Sequence, residues 1–592
     1  MASPSSTNDT DSDRSSPGKD ITKVTNSLTN VATIEKGDMS QTQLTKWQRF
    51  KDSFQRKEEV QDDSDDLEAQ DPSTKKKKAP GMSSRHVALI AMAGGLGTGL
   101  LVGNGRALSL GGPGGLLIAY GIIGVMLFAT MSAAGELAVS YSSLTGGFNA
   151  YAAKLVDPSL GFAIAWNYAL NWLTVLPLEM VTASMTIRFW NKTINPDIFV
   201  AILLVFVILI NFFGAKGYAE AEFWFNLAKV LMISGFIILG LLIDTGVAGN
   251  LGYIGAKYFQ DPGPFANGFK GVCACFVTST FSLGGTEFAV MSASSFSNPR
   301  KAIPTAIKQV FYRLLIFYFL SIFIVGLLVP YNSDRLMGSG HNDGAPVSPY
   351  VIAIESAGVT VIPHIINAVI LIAVLSVGNS ALFTSARTFY SLAQQGFAPK
   401  WFDYVDKQDR PLRAMLIPLI FGLFSFIAAY EDQEMIFTWL LSLSGLSTIF
   451  TWGLITLSHL RFRSAMHVQG LNVNELSYVS MTGYWGSLVA LILMVFVLVS
   501  HFWVSLFPFH NDGKPSANSF FQNYLGLFSF LSLYVGHKIY SGNWKLYIKA
   551  EDIDLVSDRT IFQADVLGQE KQELDDKLKQ GPLYKRILNF WC

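Results

Sequence analysis

Charge is scarce in this chain. Asp, Glu, Lys and Arg make up 15% of its 592 residues, against about 25% in soluble domains. The 44 basic and 44 acidic residues cancel, so no bulk field draws the protein to nucleic acid or acidic substrates. Cysteine is also scarce, with three in all, Cys273, Cys275 and Cys592, too few for a disulfide framework. Cys273 and Cys275 stand two apart on a helical run and point to different faces, which disfavours a metal or disulfide pair. Large apolar side chains are few in residues 1–80, which are rich in Ser, Thr, Asp, Lys and Gln. Such a stretch buries too little surface to order itself and is expected to be a disordered tail. It also has no signal-peptide pattern, so the first apolar span is expected to do the targeting. One local exception, Trp47–Phe54, is a candidate amphipathic turn.

Apolar material is what the sequence has in excess. Half the residues are hydrophobic and 13% are aromatic, more than a packed soluble core requires. From about residue 87, apolar segments near 20 residues long recur, enough to cross a bilayer core of about 30 Å. They are expected at 87–110, 114–137, 160–186, 198–214, 221–244, 272–293, 311–330, 360–386, 413–430, 436–459, 484–508 and 519–538. The fold class that follows is an all-α polytopic membrane protein of about twelve transmembrane helices, in a transporter domain over 81–540. A charged tail, 541–592, follows, with a candidate helix near 568–580. Basic residues before the first span (Lys75–Lys78, Arg85), after the sixth (Arg300, Lys301, Lys308, Arg313) and after the eighth (Arg387, Lys400, Lys407, Arg410, Arg413) place those loops in the cytoplasm. An even number of spans puts both termini there too. No soluble stretch is long enough to house an enzyme, and no nucleophile or metal constellation stands out; neither a catalytic residue nor a cofactor is expected.

The first and sixth spans carry the functional signal. One reads Ala93-Gly94-Gly95-Leu96-Gly97-Thr98-Gly99, the other Phe281-Ser282-Leu283-Gly284-Gly285-Thr286-Glu287. Glycine costs about 1 kcal/mol in a helix interior, so clusters at mid-span favour unwinding. Paired interruptions at the start of two five-span blocks point to inverted repeats with a site at the breaks. A half-helix N-terminus suits a carboxylate, and the carbonyls freed by unwinding accept bonds from an ammonium group. The competing reading is close helix packing, because Gly95, Gly99 and Gly103 also form a small-xxx-small stripe. A dinucleotide fold is excluded, since no strand precedes these glycines.

Ionisable groups inside spans are costly and usually functional. Lys229 lies in the fifth span, with snorkelling to the interface as its structural alternative. Glu287 follows the sixth-span break and is a candidate for titration during transport, or for a structural hydrogen bond. Glu179, after Pro177, and Glu136, near a span end, are weaker candidates. His364 fits a satisfied polar residue better than a proton relay. Trp172 and Phe281 are aromatics placed to cover a ligand.

At these residues the chain resembles the amino acid–polyamine–organocation superfamily and, within it, the fungal amino-acid permeases, from about residue 45 to the C-terminus. The resemblance rests on Gly97–Gly103, Leu176–Glu179, Gly217–Phe223, Asn298–Pro304, Leu328–Asn332, Ser376–Ser380 and Asn589–Cys592, and is greatest to the broad-range neutral amino-acid permeases of yeasts. It implies two inverted five-helix repeats plus two extra helices. It implies that amides of Thr98 and Gly99 bind the substrate carboxylate, that carbonyls of Gly95, Phe281 and Gly284 receive the amine beside Ser282, and that Phe281 gates the ligand. Asn171, Val175, Ser376, Asn379 and Ser444 match side-chain pocket positions. Lys229 matches the lysine that stands in place of a sodium ion in proton-coupled relatives, which tilts coupling towards protons, with Glu287 and Glu179 as further coupling candidates. It further implies ubiquitination of N-terminal lysines and a lipidated Cys592. The expected function is a proton-coupled importer of neutral amino acids in the plasma membrane. The alternatives are a sensor that binds but hardly transports, and a permease narrow for one amino-acid class.

Overall fold

A computed structural model describes residues 52–56, 89 and 93–559, apart from 142–143, 145–146, 192, 288–298, 337–346, 430–432, 474–475, 510, 512 and 558. Residues 47–51 of the expected turn, most of both tails and Cys592 therefore lie outside the described residues. The chain divides into two compact units, one formed by 1–62 with 406–408, the other by the rest. In the small unit, Arg56 and Asp406 form an antiparallel bridge, and Lys407 Nζ donates to Asp52 Oδ1 at 2.8 Å.

The large unit is helical. A π turn, Gly99–Gly103, leads into α1 (Asn104–Ser140). There follow α2 (Phe148–Leu155), α3 (Pro158–Ile187), α4 (Pro196–Phe212), α5 (Gly214–Asp244) and α6 (Gly268–Leu283). Next, α7 (Pro299–Arg313) passes through a second π turn, Leu314–Leu320, into α8 (Ser321–Leu328). The last elements are α9 (Pro349–Ser356), α10 (Ile362–Gln394), α11 (Leu412–Gly422), α12 (Gln433–Val468), α13 (Gly483–Leu506) and α14 (Ala517–Ser541). Local chemistry sets the ends. Asp157 caps α3, accepting from Leu160 N at 3.1 Å, with Pro158 at the first helical position. Gly542, at φ 63°, closes α14. Inside α1, Gly112 stands at φ 72° before Pro113, so the helix turns a corner there; a Cβ at Gly112 would lie 2.6 Å from Pro264 O.

Among the described residues, six helices are long and apolar enough to cross a membrane, and Pro196–Phe212, Gly268–Leu283 and Leu412–Phe426 are shorter apolar ones. Their outward faces are apolar at helical spacing: Ile198, Ile202, Val205 and Leu209 on α4, and Leu231 and Ile238 on α5, are exposed. Water would not tolerate such a belt; lipid does. Polar residues are turned inward instead, and α3 is buried along most of its length, packed against α10 and α12. Chain 543–557 bonds to the ends of α2 and α12. Ile548 N donates to Val156 O at 2.9 Å, Gln469 Nε2 reaches Ala550 O at 2.9 Å and Ile553 O at 2.8 Å, and Ile553 and Leu555 are buried.

Candidate functional site

The two glycine clusters meet. Residues 94–97 carry no helix, and helical bonding resumes with the π turn. On the other side α6 ends at Leu283, with Gly284 at φ −58°, ψ 157° and Gly285 at φ 78°. A Cβ on Gly99 would stand 2.6 Å from Ser282 Cα and 2.9 Å from the Phe281 ring. Only glycine allows this approach of two backbones. At Gly103 a Cβ would stand 3.3 Å from Thr278 and Leu441, so the stripe packs closely as well. Packing and interruption occur together, because the same missing Cβ serves both.

Between the clusters lies a cavity of about 70 Å³. Gly95, Thr98, Gly99, Phe281, Ser282 and Gly284 form the wall contributed by the two interrupted segments. Asn171, Trp172, Val175 and Glu179 reach it from α3, and Ser444 and Thr448 from α12. Ser444 Oγ donates to Asn171 Oδ1 at 2.5 Å, and Thr98 Oγ1 donates to Glu179. The Phe281 carbonyl accepts Gly284 N at 3.1 Å.

From α10 the wall is Val377, Ser380 and Thr384. Ser376 and Asn379 are turned the other way, towards α5. Ser376 Oγ donates to Glu222 Oε2 at 2.6 Å and Asn379 Nδ2 to Glu222 Oε1 at 2.8 Å. Glu222 stands two helical turns before Lys229 on the same face of α5, with Asn226 between them. Lys229 is fully buried, and its Nζ has no hydrogen-bond partner among the described residues. The acids that act on it electrostatically are Glu222 and Glu179. Glu287 belongs to a different cluster: Gly285 N and Trp452 Nε1 each donate to it at 3.3 Å, and Arg313 acts on it electrostatically. Arg313 acts electrostatically on Lys229 as well.

Several site residues escaped sequence reading. Arg313 reads as a loop cation, yet it is 2% exposed, lines the cavity and donates to Thr286. Tyr318, on the second π turn, donates to Gly95 O at 2.6 Å and to Ser282 O at 3.0 Å. Glu222 stood inside a quoted motif, and its seven-residue spacing to Lys229 was the available signal. At a span end, Glu136 is held by His459 Nε2 at 3.1 Å, Arg463 at 2.6 Å and Ser480 N at 2.7 Å. His364 accepts from Trp190 Nε1 at 3.0 Å. Cys273 and Cys275 are free thiols.

Lipid-facing helices around a buried, glycine-walled cavity define a multi-pass membrane protein with a cavity inside its bundle. The profile of the amino acid permease family matches residues 86–550, so the chain belongs to that family: it is a transporter, not an enzyme. It is 53% identical over 514 residues to the general amino acid permease AGP1 of Saccharomyces cerevisiae, covering 86% of this chain and 81% of that protein. Over 513 residues it is 52% identical to the high-affinity glutamine permease of the same yeast, 86% and 77% of the two chains. Against the yeast valine/tyrosine/tryptophan amino-acid permease 1 the figures are 48% over 564 residues, 92% and 90%.

Proposed function

We propose that this permease is a proton-coupled importer of neutral L-amino acids in the plasma membrane, with twelve spans, both termini cytoplasmic and inverted repeats that meet at the interrupted segments. The observation that carries the reading is the close approach of Gly99 to Ser282, with a buried lysine on α5 whose ammonium has no hydrogen bond among the described residues. Backbone groups of the two segments hold the carboxylate and ammonium common to all amino acids, at the helix ends and freed carbonyls. Asn171, Ser444, Thr448 and Val377 then meet the variable side chain. Glu179, the acid on this wall, is engaged by Thr98, so a cationic side chain finds no dedicated partner. The amino acids in the relatives' names, glutamine and valine, tyrosine and tryptophan, support a range of neutral amino acids.

A buried ammonium without a hydrogen bond is expensive. Exchange of a proton among Lys229, Glu222 and Glu179 changes that cost and biases the bundle between its two openings. The test is uptake of labelled leucine at pH 5 and pH 7.5, with and without a protonophore, in a permease-deficient yeast. Proton symport predicts uptake that is faster at pH 5, collapses with the gradient and is inhibited by many neutral amino acids. Uptake unchanged by the protonophore refutes coupling. Absent uptake of every amino acid despite surface expression favours a sensor.

A further inference from the structure

Tyr318 sits where no family assignment above places a functional group. Its hydroxyl has one proton, yet it stands within bonding distance of two carbonyls, Gly95 O at 2.6 Å and Ser282 O at 3.0 Å. One carbonyl belongs to each interrupted segment, and both residues line the central cavity. The side chain is aimed there by the π turn Leu314–Leu320, which continues α7 into α8 with one residue more per turn than an α-helix. Behind it the ring is fixed by packing. Tyr120 lies at 6.3 Å between centroids, the Arg313 guanidinium at 5.9 Å, and the tyrosine is 1% exposed.

We infer that the Tyr318 hydroxyl is a stand-in for the substrate's ammonium group: it occupies the Gly95 and Ser282 carbonyls and is displaced when an amino acid enters. The inference deepens the proposed function and rests on its amino-acid reading. Carbonyls freed by unwinding and buried away from water must be satisfied. A single hydroxyl proton shared between two acceptors satisfies them weakly, while an ammonium brings three donors and a charge. Exchange therefore favours the ligand, and only a ligand with a donor at that position gains from it. Tyr318 is a positioning residue in this scheme, setting how much of the binding free energy is spent on displacing the hydroxyl.

The test uses the full-length protein in lipid nanodiscs and equilibrium binding of labelled leucine, with 4-methylpentanoate, which lacks the amine, as a competing probe. Tyr318→Phe removes the competitor, so the leucine Kd is expected to fall by about threefold to tenfold, the worth of one neutral hydrogen bond. The affinity of 4-methylpentanoate is expected to stay unchanged. In uptake, KM and Vmax then fall together, because tighter binding slows release. Site-specific replacement of Tyr318 by 3-fluorotyrosine keeps the ring and hydroxyl, and so the fold, but makes a stronger donor; the leucine Kd is expected to rise. A Kd that rises or stays level in the Phe protein, or that falls with the fluorinated residue, overturns the inference and leaves the amino-acid reading standing. Failure of the unaltered protein to bind leucine, or any other amino acid, removes that reading and the inference with it.

Discussion

At the scale of single residues, the proposed coupling divides two jobs between Lys229 and Glu222. Lys229→Ala removes the ammonium, and proton-driven accumulation of leucine is expected to fall at least about tenfold while exchange across proteoliposomes persists; equal loss of both would refute the division. Glu222→Gln keeps an amide that bonds Ser376 and Asn379 but removes the charge, so folding should survive while the pH dependence of uptake flattens, read from initial rates between pH 5 and 7.5. Gly99→Leu drives a side chain into the Ser282 backbone, where even a Cβ would stand at 2.6 Å, and binding is expected to be lost. Normal leucine uptake by a surface-expressed Gly99→Leu protein would sink the proposed site. Lys229 was legible because charge in an apolar run is conspicuous. Arg313 was not, because a cation beside a basic loop looks topogenic, and only packing reveals its burial. The directions of Ser376 and Asn379 were equally hidden: a rotation of about 100° per residue separates a cavity-lining position from its neighbour, and hydropathy does not resolve it in a helix buried on several sides.

At the scale of elements, the helices were legible and their limits less so. The expected span 360–386 runs on to Gln394 as α10, since hydropathy reports only the apolar part of a helix that continues past the membrane. The expected span 272–293 is the helix Gly268–Leu283, ending at the glycines that marked it. Neither π turn has a signature in the sequence. The joint between α14 and α3 was also invisible. Lys538 Nζ lies 2.8 Å from Asp157 Oδ1, and both side chains are 2% exposed. Removing one partner strands the other, so Lys538→Ala is expected to cost about 3–5 kcal/mol, seen as a lower melting temperature in detergent. Replacing both by apolar residues, Asp157→Leu with Lys538→Met, should recover part of that loss, and a double substitution no better than the single one would contradict it.

At the scale of the molecule, the segment 543–557 ties α14 to the turn between α2 and α3 and to the end of α12. Ile553 and Leu555 are buried while Trp544, Leu546, Tyr547 and Val556 of the same segment are exposed, and nothing in the sequence says which of these apolar residues cover a partner. Backbone and side-chain bonds from Ser557 and a backbone bond from Val556 hold the Asp554 carboxyl down to about 2. A depressed carboxyl contributes stability above its unfolded value near 3.9 and loses it as pH falls through the folded value. Docking of 543–557 is therefore expected to be insensitive to pH from 7 down to about 4 and to weaken only towards 2. Amide exchange in this segment measures it, and loss of protection near pH 5 would refute it.

The Asp157–Lys538 pair spans 381 positions. At about 5–20 residues made per second, the ribosome delivers the lysine roughly twenty seconds to more than a minute after the aspartate has entered the translocon. For that interval the third span opens on a carboxylate whose counter-ion has not been synthesised. A nascent chain released before α14 carries the same mark permanently. The pairing of Asp157 with Lys538 is thus a late step, complete only once α14 has been made.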